Sequence, residues 1–121
     1  MTDLSDRRKE TRKKVMVFTP VYDGGKGKLL GYLRDLTIQG ALVVGERTKE
    51  INTQTRLEFQ LPDDMTGIKV KRLSISARVA HCTKDESPNS YNLGFEFIDI
   101  SVEQSQIIEA LLERYHFRHN M

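Results

Sequence analysis

Leu73-Ser74-Ile75-Ser76-Ala77-Arg78-Val79 alternates apolar and polar residues without a break, and this seven-residue stretch decides the fold class. Side chains on a strand point alternately to opposite faces, so the pattern places Leu73, Ile75, Ala77 and Val79 on a core and Ser74, Ser76 and Arg78 toward water. It sits in a predicted strand over residues 69–82. Upstream, residues 55–61 repeat the alternation, with Leu57, Phe59 and Leu61 inward. Residues 62–67, containing Pro62 and Gly67, supply the turn between the two. Downstream, a turn over residues 84–90 around Pro88 leads to a strand at 91–98, in which Leu93, Phe95 and Phe97 share a face.

The N-terminal half reads the same way. Residues 15–22 switch abruptly to β-branched and aromatic types, and Pro20 marks an edge or a bulge. Asp23-Gly24-Gly25-Lys26-Gly27 is turn chemistry. It lacks the Lys-Ser/Thr and the helix that a phosphate-binding loop requires, so a hairpin is the reading adopted. Residues 28–34 return, with Leu29, Gly31 and Leu33 on one face, and residues 41–44 form a short strand. Six short strands separated by turns predict a mainly β protein, a six-stranded antiparallel barrel whose closure removes exposed edges. From Val102 the apolar period changes toward three and four. Ser101 is therefore expected to cap a C-terminal helix running to about residue 117.

Composition bounds the function. A chain of 121 residues suits one domain with a modest core. The lone Cys82 rules out an internal disulfide, and no Cys/His cluster has metal-ligand spacing. No apolar run approaches the roughly 18 residues of a membrane span, and the first residues are charged where a signal peptide needs an apolar stretch; a cytoplasmic protein is expected. A formal net charge of +2 argues against a protein that coats nucleic acid. The charge is nonetheless uneven, since six of the eight residues from Arg7 to Lys14 are basic. Residues 1–14 read as a flexible basic arm and residues 15–121 as the folded barrel domain with its helix.

Two short elements carry a ligand hypothesis: Arg8-Lys9-Glu10-Thr11-Arg12, and Asp35-Leu36-Thr37-Ile38-Gln39-Gly40. Together they resemble the RxxxR and [D/N]xSxxG signatures of PilZ domains, bacterial receptor modules for the second messenger cyclic di-GMP. Leu93-Gly94-Phe95-Glu96-Phe97 resembles the family's late strand, and the likeness extends over nearly all of residues 6–115. The resemblance implies a six-stranded barrel with a C-terminal helix, no enzymatic activity, no cofactor, and cyclic di-GMP as ligand. It implies a ligand set of Arg7, Arg8, Arg12, Asp35, Thr37 and Gly40. An Arg at the position of Arg7 resembles members that take an intercalated ligand dimer. Thr37 departs from the usual Ser; the hydroxyl is kept, while the added methyl crowds a close contact.

The residue types suit that ligand. Guanidinium groups bond bidentately to phosphate or to the guanine O6/N7 edge and stack on a base, where Lys offers only a point charge. A spacing of four keeps Arg8 and Arg12 on one side of a helical turn or an extended strand. The Asp35 carboxylate accepts from the guanine N1 and N2 hydrogens. Gly40 allows close backbone approach or a positive φ. Elsewhere the readings are structural: adjacent strand residues His81 and Cys82 face opposite ways and form no dyad, with His81 in phase with the core set. His116 and His119 suit a helix end, and Glu103, Glu109 and Glu113 its solvated side. The downstream effect expected is an arm that orders over the barrel and alters the surface offered to an unknown protein partner. The alternatives are a PilZ-fold interaction adaptor without nucleotide, and a small basic barrel that binds single-stranded nucleic acid, for which interleaved exposed aromatics are wanting. Hydrolysis of the dinucleotide lacks both a metal cluster and a placed base.

Overall fold

A computed structural model describes residues 14–16, 19–63, 65 and 67–117. Strands β2 (Pro20–Asp23), β3 (Lys28–Leu36), β4 (Gly40–Gly45), β5 (Gln54–Gln60), β6 (Arg72–Lys84) and β7 (Tyr91–Phe97) close into one antiparallel barrel in the order β2-β3-β4-β7-β6-β5. The six-stranded barrel expected from alternation is therefore present. Its interior is filled by the residues that alternation turned inward, among them Leu57, Phe59, Ile75, Val79 and Leu93, each at most 2 % exposed. Burying a side chain of that size contributes about 1.5–3 kcal/mol, and this holds the sheet closed without cross-links.

The antiparallel order sorts the connections. Loops 24–27, 46–53 and 85–90 meet at one mouth of the barrel; loops 37–39, 61–71 and 98–101 meet at the other. Helix α1 (Val102–Arg114) packs at this second end. Ser101 caps it as expected: its Oγ accepts from Gln104 N at 3.0 Å, and Gln104 Oε1 accepts from Ser101 N at 2.8 Å. The Gln104 amide also donates to Ser74 O at 2.7 Å, which ties the first turn to β6. Ile107, Ile108 and Leu111 then join the barrel core.

Four expectations are corrected. The first predicted strand divides into β1 (Lys14–Met16) and β2, so Lys14, assigned by composition to the arm, is already in a strand. The helix stops at Arg114, because Tyr115–Phe117 (β8) turns extended and pairs in parallel with β1, Lys14 opposite Tyr115. Residues 69–71 precede β6 rather than belonging to it. Leu29 is 48 % exposed instead of inward. The cause is a register shift between Val21 and Tyr22: Val21 pairs with Gly31 and Tyr22 with Leu29, so Leu30 is extra and the alternation reverses beyond it.

Candidate functional site

The Asp35-to-Gly40 element forms the β3–β4 turn, and its residues hold one another. Thr37 N donates to Gly40 O at 2.9 Å. The Thr37 hydroxyl accepts from Gln39 N at 3.1 Å and Gly40 N at 3.2 Å, the side-chain mimic of a backbone turn that Ser and Thr provide. Asp35 Oδ1 accepts from Leu36 N at 2.9 Å. Of the two reasons for a glycine at position 40, close approach is the operative one: a Cβ there would lie 2.1 Å from Phe95 O on β7.

Beside this turn, on the outer face of the barrel, lies a recess of about 350 Å³. Asp35, Thr37 and Gly40 form one side of it, and His81, Gly94 and Glu96 the other. Two bulges shape the opening. In β3 the register shifts between Leu33 and Asp35, which leaves Arg34 as the extra residue and lets both Leu33 and Leu36 enter the core. In β6 it shifts between Val79 and His81, with Ala80 as the extra residue. A bulge of this kind re-aims the side chains that follow it.

His81 is thus exposed, contrary to its expected phase with the core, and Cys82 turns toward the core instead. The two still face opposite ways, so no dyad forms. The His81 ring covers the position where Gly94 lacks a side chain, with Cε1 2.1 Å from an added Cβ. Glu96, across from it, is paired with Arg78, which also donates to Asn52 Oδ1 at 2.6 Å. Among the described residues no group of three or more His, Cys, Asp or Glu side chains can hold a metal ion.

Of the ligand set read from the sequence, Asp35, Thr37 and Gly40 line the recess together. Arg7, Arg8 and Arg12 lie outside the described residues. Lys14, two positions after Arg12, begins β1, which pairs with β8, and β8 in turn packs on β3. His81, Leu42 and Glu96 line the recess as well, and no sequence motif marks them as lining residues. Only the bulge at Ala80 brings His81 to the outer face, and a bulge leaves no mark on hydrophobic alternation.

The family model for the PilZ domain matches residues 6–114. This chain belongs to the PilZ domain family. The PilZ barrel is similar to two solved structures. One is the Bacillus subtilis inhibitor of motility (MotI/DgrA), with a TM-score of 0.63 and 16% identity over 84% of this chain and 48% of that one. This PilZ chain thus spans about half the length of that relative. The other is the PilZ domain with c-di-GMP of YcgR from Escherichia coli, with a TM-score of 0.62 and 12% identity over 84% of this chain and 86% of that one. A search of the curated proteins finds no match. No helix among the described residues is long and apolar enough to cross a membrane.

Proposed function

We propose that this PilZ domain is a cyclic di-GMP receptor without enzymatic activity, acting in a bacterial cytoplasm. The observation that carries the reading is the recess beside the Asp35-to-Gly40 turn. Asp35 of the second signature lines it, and β1, which follows the first signature in the chain, is linked through β8 to the same strand β3. Arg12 precedes Lys14 by two positions, and two residues span at most about 7 Å, which supports one site shared by both signatures. The Asp35 carboxylate reads the guanine N1 and N2 hydrogens, while Arg8 and Arg12 bind phosphate and the O6/N7 edge. Leu42 and the His81 ring that covers Gly94 offer a flat base an apolar and stacking surface. Arg7 supplies a further guanidinium for a second, intercalated ligand molecule.

Thr37 and Gly40 serve this reading indirectly. Their hydrogen bonds and close packing set the turn that presents Asp35, and the Thr37 methyl leaves those bonds in place. Ligand binding orders the arm over the barrel and changes the surface shown to a protein partner, with the entropy of ordering offset by charged and stacking contacts.

Calorimetric titration of the full chain with cyclic di-GMP, GTP and a short oligonucleotide tests this. Cyclic di-GMP alone is expected to bind, and a stoichiometry of two per chain supports the role of Arg7. Arg8→Ala and Arg12→Ala are expected to remove most binding at unchanged thermal stability. Wild-type affinity in both variants overturns the clamp, and binding of the oligonucleotide alone overturns the receptor.

A further inference from the structure

A second and larger recess, about 660 Å³, opens at the barrel mouth opposite α1. It shares no lining residue with the recess beside Asp35. Lys26 and Lys28 reach it from the β2–β3 hairpin, and Arg47 and Lys49 from the β4–β5 loop. Its apolar part has a buried floor at Leu93 and two large exposed side chains, Leu29 at 48 % and Tyr32 at 44 %. The exposure of Leu29 follows from the bulge that leaves Leu30 over, so the β2–β3 irregularity creates an apolar contact point on a basic rim.

The charges at this mouth are unequally engaged. Asp23 is already used: it accepts from Gly25 N at 3.0 Å and from the Thr55 hydroxyl at 3.1 Å, and Lys49 Nζ lies 3.9 Å from it. Lys26, Lys28 and Arg47 form no ion pair among the described residues, and the carboxylates that line the recess with them are Glu46 and the already engaged Asp23. The mouth therefore presents a positive rim around an apolar hollow.

We propose that this mouth docks an acidic peptide segment of a partner protein, with one apolar side chain seated between Leu29 and Tyr32. Three cations with one opposing carboxylate suit the spaced charge of Asp and Glu side chains. A nucleic-acid strand, which binds by stacking successive bases on aromatic side chains, would find Tyr32 as the one exposed aromatic among the described lining residues. The docking mode is an anchor in a pocket with a charged rim that steers and orients the partner. The inference stands on the mouth alone and does not depend on cyclic di-GMP binding at the other site.

The test uses the full chain and a fluorescein-labelled synthetic peptide of ten residues, rich in Glu and Asp around a central Leu-Phe pair, followed by anisotropy. Two control peptides carry Gln for each acid or Ser for the Leu-Phe pair. A dT10 oligonucleotide is the fourth probe. Binding of the acidic peptide is expected to fall at least tenfold in Lys28→Glu/Arg47→Glu and in the milder Lys28→Gln/Arg47→Gln, several-fold in Leu29→Ser, and similarly with each control peptide. Amide shifts in wild-type protein are expected to cluster at Lys26, Leu29, Tyr32 and Arg47, with Asp35 to Gly40 unmoved. The proposal is overturned if the peptide binds no better than its Gln control, if the charge variants bind it as wild type does, or if dT10 alone is lost in those variants.

Discussion

The imidazole of His81 occupies the space that a side chain on Gly94 would need, with three ring atoms within 2.5 Å of a Cβ placed there. The two residues are cross-strand partners on β6 and β7, and the bulge at Ala80 brings them into register. Gly94→Ala is therefore expected to fold, with the exposed His81 ring swung off the recess. The stability loss should be about 1 kcal/mol, since a side chain and not backbone must yield. Histidine ring resonances by NMR report the displacement; unchanged His81 resonances in the variant contradict the stacked arrangement.

Gly40→Ala should behave differently. The group its Cβ meets is the Phe95 carbonyl of β7, which cannot rotate away without parting the strands. Overpacking of this kind costs roughly 1–3 kcal/mol or more. Urea unfolding is expected to show that loss in the absence of any ligand, and a variant as stable as wild type removes the packing explanation.

The Thr37 hydroxyl, with its two backbone donors, is worth about 1 kcal/mol to the turn. Thr37→Ala should lose that amount, and Thr37→Ser should retain it because the oxygen does the bonding. Equal stability of the Ala and Ser variants in chemical denaturation speaks against the turn-holding role.

Arg34 and Asp85 give a pH signature. Burial, the largest single influence on the Asp85 carboxyl, pushes its pKa up. It is outweighed by the Arg34 hydrogen bond, the Glu86 backbone N–H, the Arg34 charge and the Asn92 amide, which together hold the group below its ordinary value of 3.8. A carboxyl with a depressed folded pKa adds stability that is fully present above its unfolded value and is lost as pH falls through the folded value. Asp85→Asn should accordingly flatten the fall in stability below about pH 4. Thermal melts between pH 2 and 7 that keep the wild-type acid limb in Asp85→Asn would count against the pair.

Asp35→Ala is expected to narrow the preference for cyclic di-GMP over cyclic di-AMP, chiefly by weakening the former about tenfold, the loss of one good bidentate contact. Competition titrations with the two dinucleotides read this. Unchanged selectivity would remove the guanine-reading role from Asp35.

Much of the barrel is legible in the sequence because alternation persists where strands are regular. Leu57, Phe59, Ile75 and Val79 all point inward as their spacing requires. The misreadings concentrate where one extra residue breaks the period: Leu29 beyond Leu30, and His81 beyond Ala80. Periodicity cannot register such an insertion, since either parity looks plausible over three or four residues. The end of α1 is hidden for another reason. Tyr115 and His116 continue the helical pattern locally, and only pairing with residues near the start of the chain draws them into β8. For the site, the turn residues were readable as a motif, whereas the opposite wall depends on a bulge and on a glycine whose value lies in what it omits.

The parallel pairing of β1 with β8 also carries a temporal consequence. Lys14 and Tyr115 are about a hundred positions apart, so closing that contact waits on nearly the whole chain. On a ribosome, β1 is made before every barrel strand and its partner β8 after all of them. Until Tyr115 has cleared the exit tunnel, a nascent chain can hold its barrel strands but lacks the β1–β8 seam.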